Sequence, residues 1–351
     1  MADLLALTGD QILGIPAERP ERLFSGDPDT AKRQFRSLAA LWHPDRNHDP
    51  HAAAVFAHLA GLHREVAKQV ADRSWRGPGS LRLTGTDGRA WLVRYRRRHS
   101  FELGDLYVGR TVLVFLIDPT YRSFYDRATR IVASFRYATP EMRAEVERYL
   151  PSVTRAFETQ DQLVLVVRRT DDTVLLRDLL DHMGGRIDPK HVAWMISGLL
   201  SICCFFQVSG LVHAAISPDT LLVSPPQHST IIPGGWFHAF QAGARMGTVP
   251  TRTYEWVPRR LPRDRIATPR ITLELVRTTG RELLGDISGA SLQWDKTLPR
   301  SMIDWLNQPS EGDAFRDYEL WHEVLKDSFG ARRFVEMPVR EADVYQMRWR
   351  F

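Results

Sequence analysis

The N-terminal fold is decided by residues 34–47, which are Gln34-Phe35-Arg36-Ser37-Leu38-Ala39-Ala40-Leu41-Trp42-His43-Pro44-Asp45-Arg46-Asn47. Apolar side chains recur in this stretch at helical spacing as far as Trp42. Pro44 then stops a helix, because proline lacks the amide hydrogen and its ring clashes with the preceding turn. Upstream, Asp27 and Pro28 are the residue types favoured at an N-cap and at the first helical position. The pattern therefore predicts a helix of about four turns that ends at Pro44.

A second helical pattern follows the polar loop at residues 45–50. The apolar side chains on its common face are Val55, Phe56, Leu59, Leu62 and Val66. Because the first helix carries a similar stripe, the two are predicted to close on each other as an antiparallel hairpin. We expect no metal site here, since the histidines nearest to a helical spacing, His58 and His63, are five positions apart and not four.

The two predicted helices and the His43-Pro44-Asp45 turn resemble the J-domain of DnaJ-like co-chaperones, over roughly the first 73 residues. In that family one helix ends in His-Pro-Asp, and a second helix returns with a phenylalanine and an aliphatic residue three positions later. Phe56 and Leu59 match this pattern, and Ile12-Leu13-Gly14-Ile15 resembles the opening segment of the family. The insert from Glu18 to Pro28 is longer than in the commonest members.

This resemblance implies a binding signal and not a reaction. In the family, the loop and the basic face of the preceding helix engage an acidic surface of a DnaK-type chaperone and accelerate ATP hydrolysis there. Carried over by residue, the partner-binding set is His43, Pro44, Asp45, Lys32, Arg33, Arg36 and Arg46. Without the family pattern, Pro44 is only a helix stop, Asp45 a turn residue and Arg36 a solvated charge.

Beyond the predicted hairpin the periodicity changes. Residues 74–80 are rich in glycine and proline and predict a linker. The strands predicted after it are Leu81–Leu83, Trp91–Tyr95, Leu106–Val108, Val112–Ile117 and Leu163–Val167. A helix is predicted from about Tyr121 to Phe135, and helices dominate from Pro189 onward. Strands followed by helices indicate an α+β arrangement in two lobes.

Four short segments in this second part resemble those of a protein kinase and occur in the same order. They correspond to the glycine-rich loop, the catalytic loop, the metal-binding loop and the long helix of the large lobe, and they are Leu103–Gly109, Gly210–Val223, Ile231–Trp236 and Gly280–Gly285. The resemblance implies a bilobal kinase-like fold.

The residues that phosphoryl transfer needs are missing from these segments. A lysine must hold the nucleotide phosphates, a carboxylate must orient the substrate hydroxyl, and an Asp with an Asn must hold magnesium. No lysine occurs between Lys68 and Lys190. The degenerate kinase positions are Gly104, His213, Ala215, Ser217, Thr220, Pro233 and Gly235. Of these, Ala215 replaces the catalytic carboxylate, and Thr220 and Pro233 replace the magnesium ligands. We therefore expect a pseudokinase without catalytic residues, metal or cofactor, in which Asp219 and His213 are structural.

Composition narrows the classes of partner. The chain has 47 Lys and Arg against 42 Asp and Glu, a net charge of +5, which is too small over this length to require nucleic acid. Cys203 and Cys204 are adjacent and cannot join distant parts of a fold, which fits a reducing cytoplasm. The most apolar stretch, Ile196 to Val212, is interrupted by polar residues and predicts a buried core helix, so we expect no membrane association.

The sequence thus predicts an α+β multidomain protein, with an N-terminal all-α J-domain hairpin followed by a bilobal kinase-like fold. The predicted ranges are 1–73 for the J-domain, 74–80 for the linker, 81–170 for the mainly β small lobe, 171–338 for the mainly α large lobe and 339–351 for a C-terminal tail. The tail ends in alternating aromatic and basic residues, the pattern of a strand or peptide that docks onto this chain or a partner.

The expected function is that of a co-chaperone which recruits and stimulates a DnaK-type ATPase. In this hypothesis the pseudokinase portion binds a client or assembly protein of unknown identity and concentrates the chaperone beside it. Two alternatives remain open. In the first, the chain is a divergent kinase or nucleotide-binding enzyme that uses unrecognised residues. In the second, it is a structural or regulatory scaffold whose J-like domain no longer engages a chaperone.

Overall fold

The structure, a computed structural model, describes residues 2–72, 74–75, 77–258, 263–331 and 333–345. The last six residues of the predicted tail, 346–351, therefore lie outside the described residues. The chain divides into two compact units. Unit 1 comprises the described residues of Met1–Leu116, Phe157–Val164 and Tyr345–Phe351, and unit 2 those of Ile117–Ala156 and Leu165–Val344. The domain boundaries predicted at residues 73 and 170 stay predictions.

Unit 1 opens with helices. Its α-helices are α1 (Gly9–Leu13), α2 (Pro28–Leu41) and α3 (Ala52–Ala71), with short 3-10 helices at Ala2–Ala6 and Pro20–Arg22. The start of α2 follows the predicted cap, because the Asp27 carboxylate accepts a hydrogen bond from the Thr30 amide at 2.9 Å. The end of α2 at Leu41 falls just before Pro44.

The helices α2 and α3 run antiparallel. Phe35 near the middle of α2 stacks on His63 at a ring-centroid distance of 4.7 Å, whereas His43 just after α2 meets Phe56 near the start of α3 at 5.4 Å. From the first contact to the second, the residue number rises along α2 and falls along α3, as it does in an antiparallel pair. The side chains buried between the two helices include Leu38, Val55, Leu59, Leu62 and Val66.

Six strands form one sheet in the order β1-β2-β3-β4-β6-β5. They are β1 (Gly79–Thr84), β2 (Ala90–Phe101), β3 (Gly104–Gly109), β4 (Val112–Ile117), β5 (Val153–Glu158) and β6 (Leu163–Arg168). β1 pairs antiparallel with β2, and β2 with β3. Segment 74–80, predicted as a linker, contains the buried Trp75 and the first two residues of β1.

Unit 2 is mainly helical. Its helices are α4 (Arg122–Ala133), α5 (Pro140–Val146), α6 (Leu176–His182), α7 (Pro189–Val208), α8 (Thr251–Trp256), α9 (Pro269–Leu283), α10 (Arg300–Asn307), α11 (Ala314–Phe329) and α12 (Glu341–Tyr345). Two small antiparallel sheets accompany them, β10-β9-β7 and β11-β8. These short strands are β7 (Val174–Leu175), β8 (Leu211–His213), β9 (Leu222–Ser224), β10 (Ser229–Ile231) and β11 (Ala239–Gln241).

The predicted mixed architecture is confirmed: after the opening helices comes an antiparallel sheet, and the rest of the chain is mainly helical, which is consistent with a kinase-like fold. Helix α7 is the one helix in the described part of the chain that is long and apolar enough to cross a membrane. Buried residues make up 61% of its most apolar window, and the core helix of a soluble protein meets the same criterion.

Candidate functional site

The first candidate site is the turn between α2 and α3, which carries His43, Pro44 and Asp45. Pro44 and Asp45 are exposed, and the His43 side chain retains 42% of its accessible surface. The Asp45 amide donates a hydrogen bond to His43 Nδ1 at 3.2 Å, and the Asn47 amide donates to the His43 carbonyl at 2.8 Å. These bonds hold the turn in one conformation with its imidazole and carboxylate accessible. We call this turn the HPD corner.

Two contacts with the helical hairpin hold the HPD corner in place. The His43 ring packs edge-to-face against Phe56 of α3, and the Asn47 side-chain amide donates to the Leu41 carbonyl at 3.0 Å. Aromatic pairs in this geometry contribute roughly 0.5–1.5 kcal/mol beyond their buried area. Phe56, which the sequence placed on the apolar face, therefore also positions the imidazole.

A basic surface lies on the same helix pair. The cations assigned to partner binding are all exposed, and they are Lys32, Arg33 and Arg36 on α2 and Arg46 in the turn. Arg33 donates a hydrogen bond to the Thr30 hydroxyl at 2.9 Å, which holds it against the first turn of the helix. Exposed charges of one sign attract an acidic partner over roughly a Debye length, about 8 Å at physiological salt. The surface can thus steer an acidic protein toward the HPD corner.

Unit 2 contains the second candidate site, formed by the predicted catalytic and metal-binding loops. His213 ends β8, and its Nε2 lies 3.0 Å from the Gly234 carbonyl oxygen. A carbonyl only accepts, so Nε2 carries the hydrogen and donates it. Burial lowers the pKa of His213 to about 4, which keeps the imidazole neutral at pH 7. The two predicted loops are therefore in contact, joined by a buried neutral histidine.

Gly235 completes this contact. Its backbone adopts a φ of +79°, and a Cβ placed on it would lie 2.6 Å from His213 Cε1 and 3.1 Å from Ala215 Cβ. Any larger residue would be strained there and would collide with the imidazole. Gly235 stands where the kinase resemblance places the last glycine of the metal-binding loop. In this structure a glycine is needed there because His213 packs closely against it.

The remaining polar groups of the catalytic-loop segment satisfy each other. Thr220 donates through its hydroxyl to the Ala215 carbonyl at 2.8 Å and accepts a hydrogen bond from the Ser217 amide at 3.1 Å. Thr220 and Ser217 therefore close the loop from within. These are two of the positions at which the resemblance expects magnesium and phosphate contacts.

Asp219 is the only carboxylate between Gly210 and Gln241, and it is engaged elsewhere. Arg177 of α6 donates to both of its oxygens, at 2.9 and 3.1 Å. The same guanidinium lies 2.6 Å from Glu282, which also meets Arg252 at 2.5 Å. Asp219 is thus held in a charge network of four residues, and its arginine partner lies on α6 and not in the loop.

Sequence reasoning missed Arg177, Arg252 and Glu282. Their separations along the chain are too large for any local pattern, since Arg177 and Glu282 are 105 positions apart. No local signal could have found them, because the half-exposed Asp219 carboxylate carries no burial cost that would require a partner.

The predicted glycine-rich loop is a closed hairpin in unit 1. Phe101 of β2 pairs directly with Gly104 of β3, which leaves only Glu102 and Leu103 in the turn, and Leu103 is buried. Asp105 is bound by Arg98 at 2.8 Å. A two-residue turn with a buried side chain exposes few backbone amides, so it lacks the amide cradle that binds phosphate in glycine-rich loops. Within the described residues, no cluster of three His, Cys, Asp or Glu could hold a metal ion.

Comparison with known proteins gives little that bears on function. No protein-family model matches the chain, and no curated protein matches it. Similar solved structures include one described as the structure of vaccinia related kinase 3, with a TM-score of 0.47 and 15% identity over 70% of this chain and 90% of that chain. A likeness at this level carries no argument by itself.

Proposed function

We propose that this chain is a J-domain co-chaperone that recruits and stimulates a DnaK-type ATPase, and that its kinase-like portion is a catalytically inactive scaffold for a client or partner protein in the cytoplasm. The co-chaperone part of this proposal rests on one observation: the HPD corner is exposed, and so are the four cations of the same helix pair and turn. An imidazole, a proline and a carboxylate held in one accessible turn are suited to recognition by another protein.

Support for an inactive kinase-like portion comes from the second site. Its imidazole is neutral and buried, its only carboxylate is paired with Arg177, and its hydroxyls bond within the loop. Magnesium binds through oxygen ligands, usually one or two carboxylates together with substrate phosphates. Asp219 is the single carboxylate of this loop, and each of its oxygens already accepts a hydrogen bond from Arg177. A scaffold role is thus better supported than phosphoryl transfer.

The test measures ATP hydrolysis by a DnaK-type chaperone with and without the purified full-length chain. We expect stimulation by the wild type and its loss in His43→Gln and Asp45→Asn, since both changes remove a functional group from the HPD corner and leave the hairpin core intact. Arg64→Ala is the matched control, because Arg64 is an exposed cation of α3 outside the proposed surface. Stimulation that persists in both corner variants contradicts the proposal, and a wild type that gives none favours a scaffold without chaperone contact.

Salt dependence provides an independent check. The proposed docking surface combines Lys32, Arg33 and Arg36, so raising the salt from about 50 to 200 mM shortens the Debye length and slows association. Replacing the three cations by glutamine should lower the association rate and flatten its dependence on salt. An unchanged salt dependence in that variant would place the contact elsewhere.

A further inference from the structure

A cavity of about 650 Å³ lies within unit 1. The neighbouring strands β1, β2, β3 and β4 all contribute to its lining, and so do the end of α3 and the turn at residues 159–162. Because four adjacent strands share it, the cavity lies against a face of the sheet. Its volume falls within the roughly 300–1,000 Å³ typical of small-molecule pockets. No described residue of unit 2 or of the HPD corner lines it.

The apolar part of the lining comes from one face of the sheet. Leu81 and Leu83 of β1 are two positions apart and therefore point to the same side. Leu81 pairs with Val93 of β2, which shares its face with Tyr95. The Tyr95 ring meets the Tyr107 ring of β3 edge-to-face at 4.8 Å, and both tyrosines are buried. The cavity thus offers aliphatic and aromatic surface to a ligand.

Arg98 adds a cation to this apolar lining. It lies directly opposite Tyr107 in the β2–β3 pair, its guanidinium is 5.9 Å from the centre of that ring, and its side chain is only 12% exposed. The bond from Nη2 to Asp105 at 2.8 Å is the one hydrogen bond that the described residues give this guanidinium, and its Nε has no acceptor among them. Buried donors without an acceptor raise the free energy of the fold, so an acceptor group on a ligand would be favoured here.

The charges around the cavity favour a ligand with a single negative charge. Arg82 also lines the cavity and is exposed, whereas Asp161 is the one carboxylate among the described lining residues. Burial raises the pKa of Tyr95 above its usual value, so its phenol stays neutral. Arg82 and Arg98 attract an anion, while Asp161 and the Asp105 partner of Arg98 disfavour a second negative charge. A carboxylate therefore fits better than a phosphate.

We propose that this cavity binds a small aromatic carboxylate, with the ring against Tyr95 and Tyr107 and the carboxylate on Arg98. Hydrogen bonds between ionised partners are roughly twice as strong as neutral ones. The ring leaves water for an apolar lining, which adds the hydrophobic contribution. The HPD corner contributes no residue to this site, so the inference does not depend on the chaperone proposal.

The experiment is isothermal titration calorimetry of the full-length chain with 2-naphthoate and with 2-naphthamide, its neutral counterpart of similar shape. We expect 2-naphthoate to bind at least about tenfold more tightly, because only the carboxylate forms a charge-assisted hydrogen bond with Arg98. Arg98→Gln should remove this preference. Arg97→Gln is the matched control, because Arg97 is exposed and its side chain points to the opposite face of β2. A wild type that binds 2-naphthoate no better than 2-naphthamide, or a preference that survives in Arg98→Gln, overturns the proposal.

A second variant tests the cavity without changing its cation. Arg98→Gln also takes the partner from Asp105, so a folding defect has to be separated from loss of the site. Leu81→Trp fills the cavity from β1 and leaves Arg98 in place, and it should lower the affinity for 2-naphthoate at least about tenfold. Leu92→Trp is its control, because Leu92 is 60% exposed and adjacent to Val93 on the other face of β2. Equal affinity in the wild type and Leu81→Trp would place the probe elsewhere and refute the site.

Discussion

Acidification should destabilise unit 2 through one histidine. His213 is 1% exposed, its Nε2 donates to the Gly234 carbonyl, and its Nδ1 forms no hydrogen bond within the described residues. Burial lowers the pKa of His213 to about 4, because an imidazolium there would lose its hydration without gaining an acceptor. In the unfolded chain the same group titrates near 6.5, as histidine does in model peptides.

The direction of the change in stability with pH follows from the number of protons that each state binds. Between the two pKa values the unfolded state binds more protons than the folded state, so stability rises with pH and is lost as the pH falls from 6.5 toward 4. With these values the loss between pH 7 and pH 5 is about 2 kcal/mol. For a unit of this size such a change lowers the melting temperature by about 4–8 °C.

The assay is urea unfolding of the wild type and His213→Gln at several pH values from 7 to 5. Glutamine keeps an N–H donor for the Gly234 carbonyl but does not titrate. The variant should be the less stable protein at pH 7, because it loses the stacking of His213 on Phe206. The difference between the two proteins should then shrink by about 2 kcal/mol by pH 5. His48→Gln controls for the loss of an exposed imidazole, and parallel curves for wild type and His213→Gln would refute the reasoning.

Three further predictions concern other parts of the molecule. Arg277→Ala leaves the buried Asp317 carboxylate, now bound at 2.7 and 2.9 Å, without its partner, and urea unfolding should show a loss of about 3–5 kcal/mol. The exposed Arg300→Ala is the control, with a loss below about 1 kcal/mol. Trp75→Ala removes a fully buried indole and should cost about 3–5 kcal/mol by the same measurement, whereas a loss below about 1 kcal/mol would mean that residues 74–80 act as a free linker. Magnesium and ATP should leave the melting temperature of the wild type unchanged in differential scanning fluorimetry, and a clear rise would favour the nucleotide-binding alternative.

Local sequence patterns predicted the helices whose first residues are a capping aspartate or a proline. Asp27 and Pro28 marked the start of α2, and Pro189, from which helices were predicted to dominate, is the first residue of α7. The strands predicted at Leu81–Leu83 and Trp91–Tyr95 fall within the antiparallel pair β1 and β2. By contrast, β5 was not predicted, because its largely exposed side chains give no clear apolar face.

Long-range chemistry could not be predicted in the same way. The sequence showed that Ala215, Thr220 and Pro233 lack the groups that phosphoryl transfer needs, since this requires only the residue types at aligned positions. It could not show that Asp219 is neutralised by Arg177, because the pairing depends on how α6 packs against the loop. The partners of Asp219 are visible only once the chain is folded.

One carboxylate links the proposed docking surface to the sheet in unit 1. Asp27 Oδ1 caps α2 through the Thr30 amide, while Oδ2 accepts a hydrogen bond from the Ser80 hydroxyl of β1 at 3.1 Å. The adjacent Gly26 amide donates to the Pro78 carbonyl at 2.6 Å. Reorienting the basic helix against β1 would therefore break the Asp27–Ser80 and Gly26–Pro78 hydrogen bonds, whereas the Asp27–Thr30 cap bond would move with the helix. The residues that begin α2 thus hold the HPD corner in a defined orientation to the edge strand, so a partner bound at the corner meets the sheet in a fixed geometry.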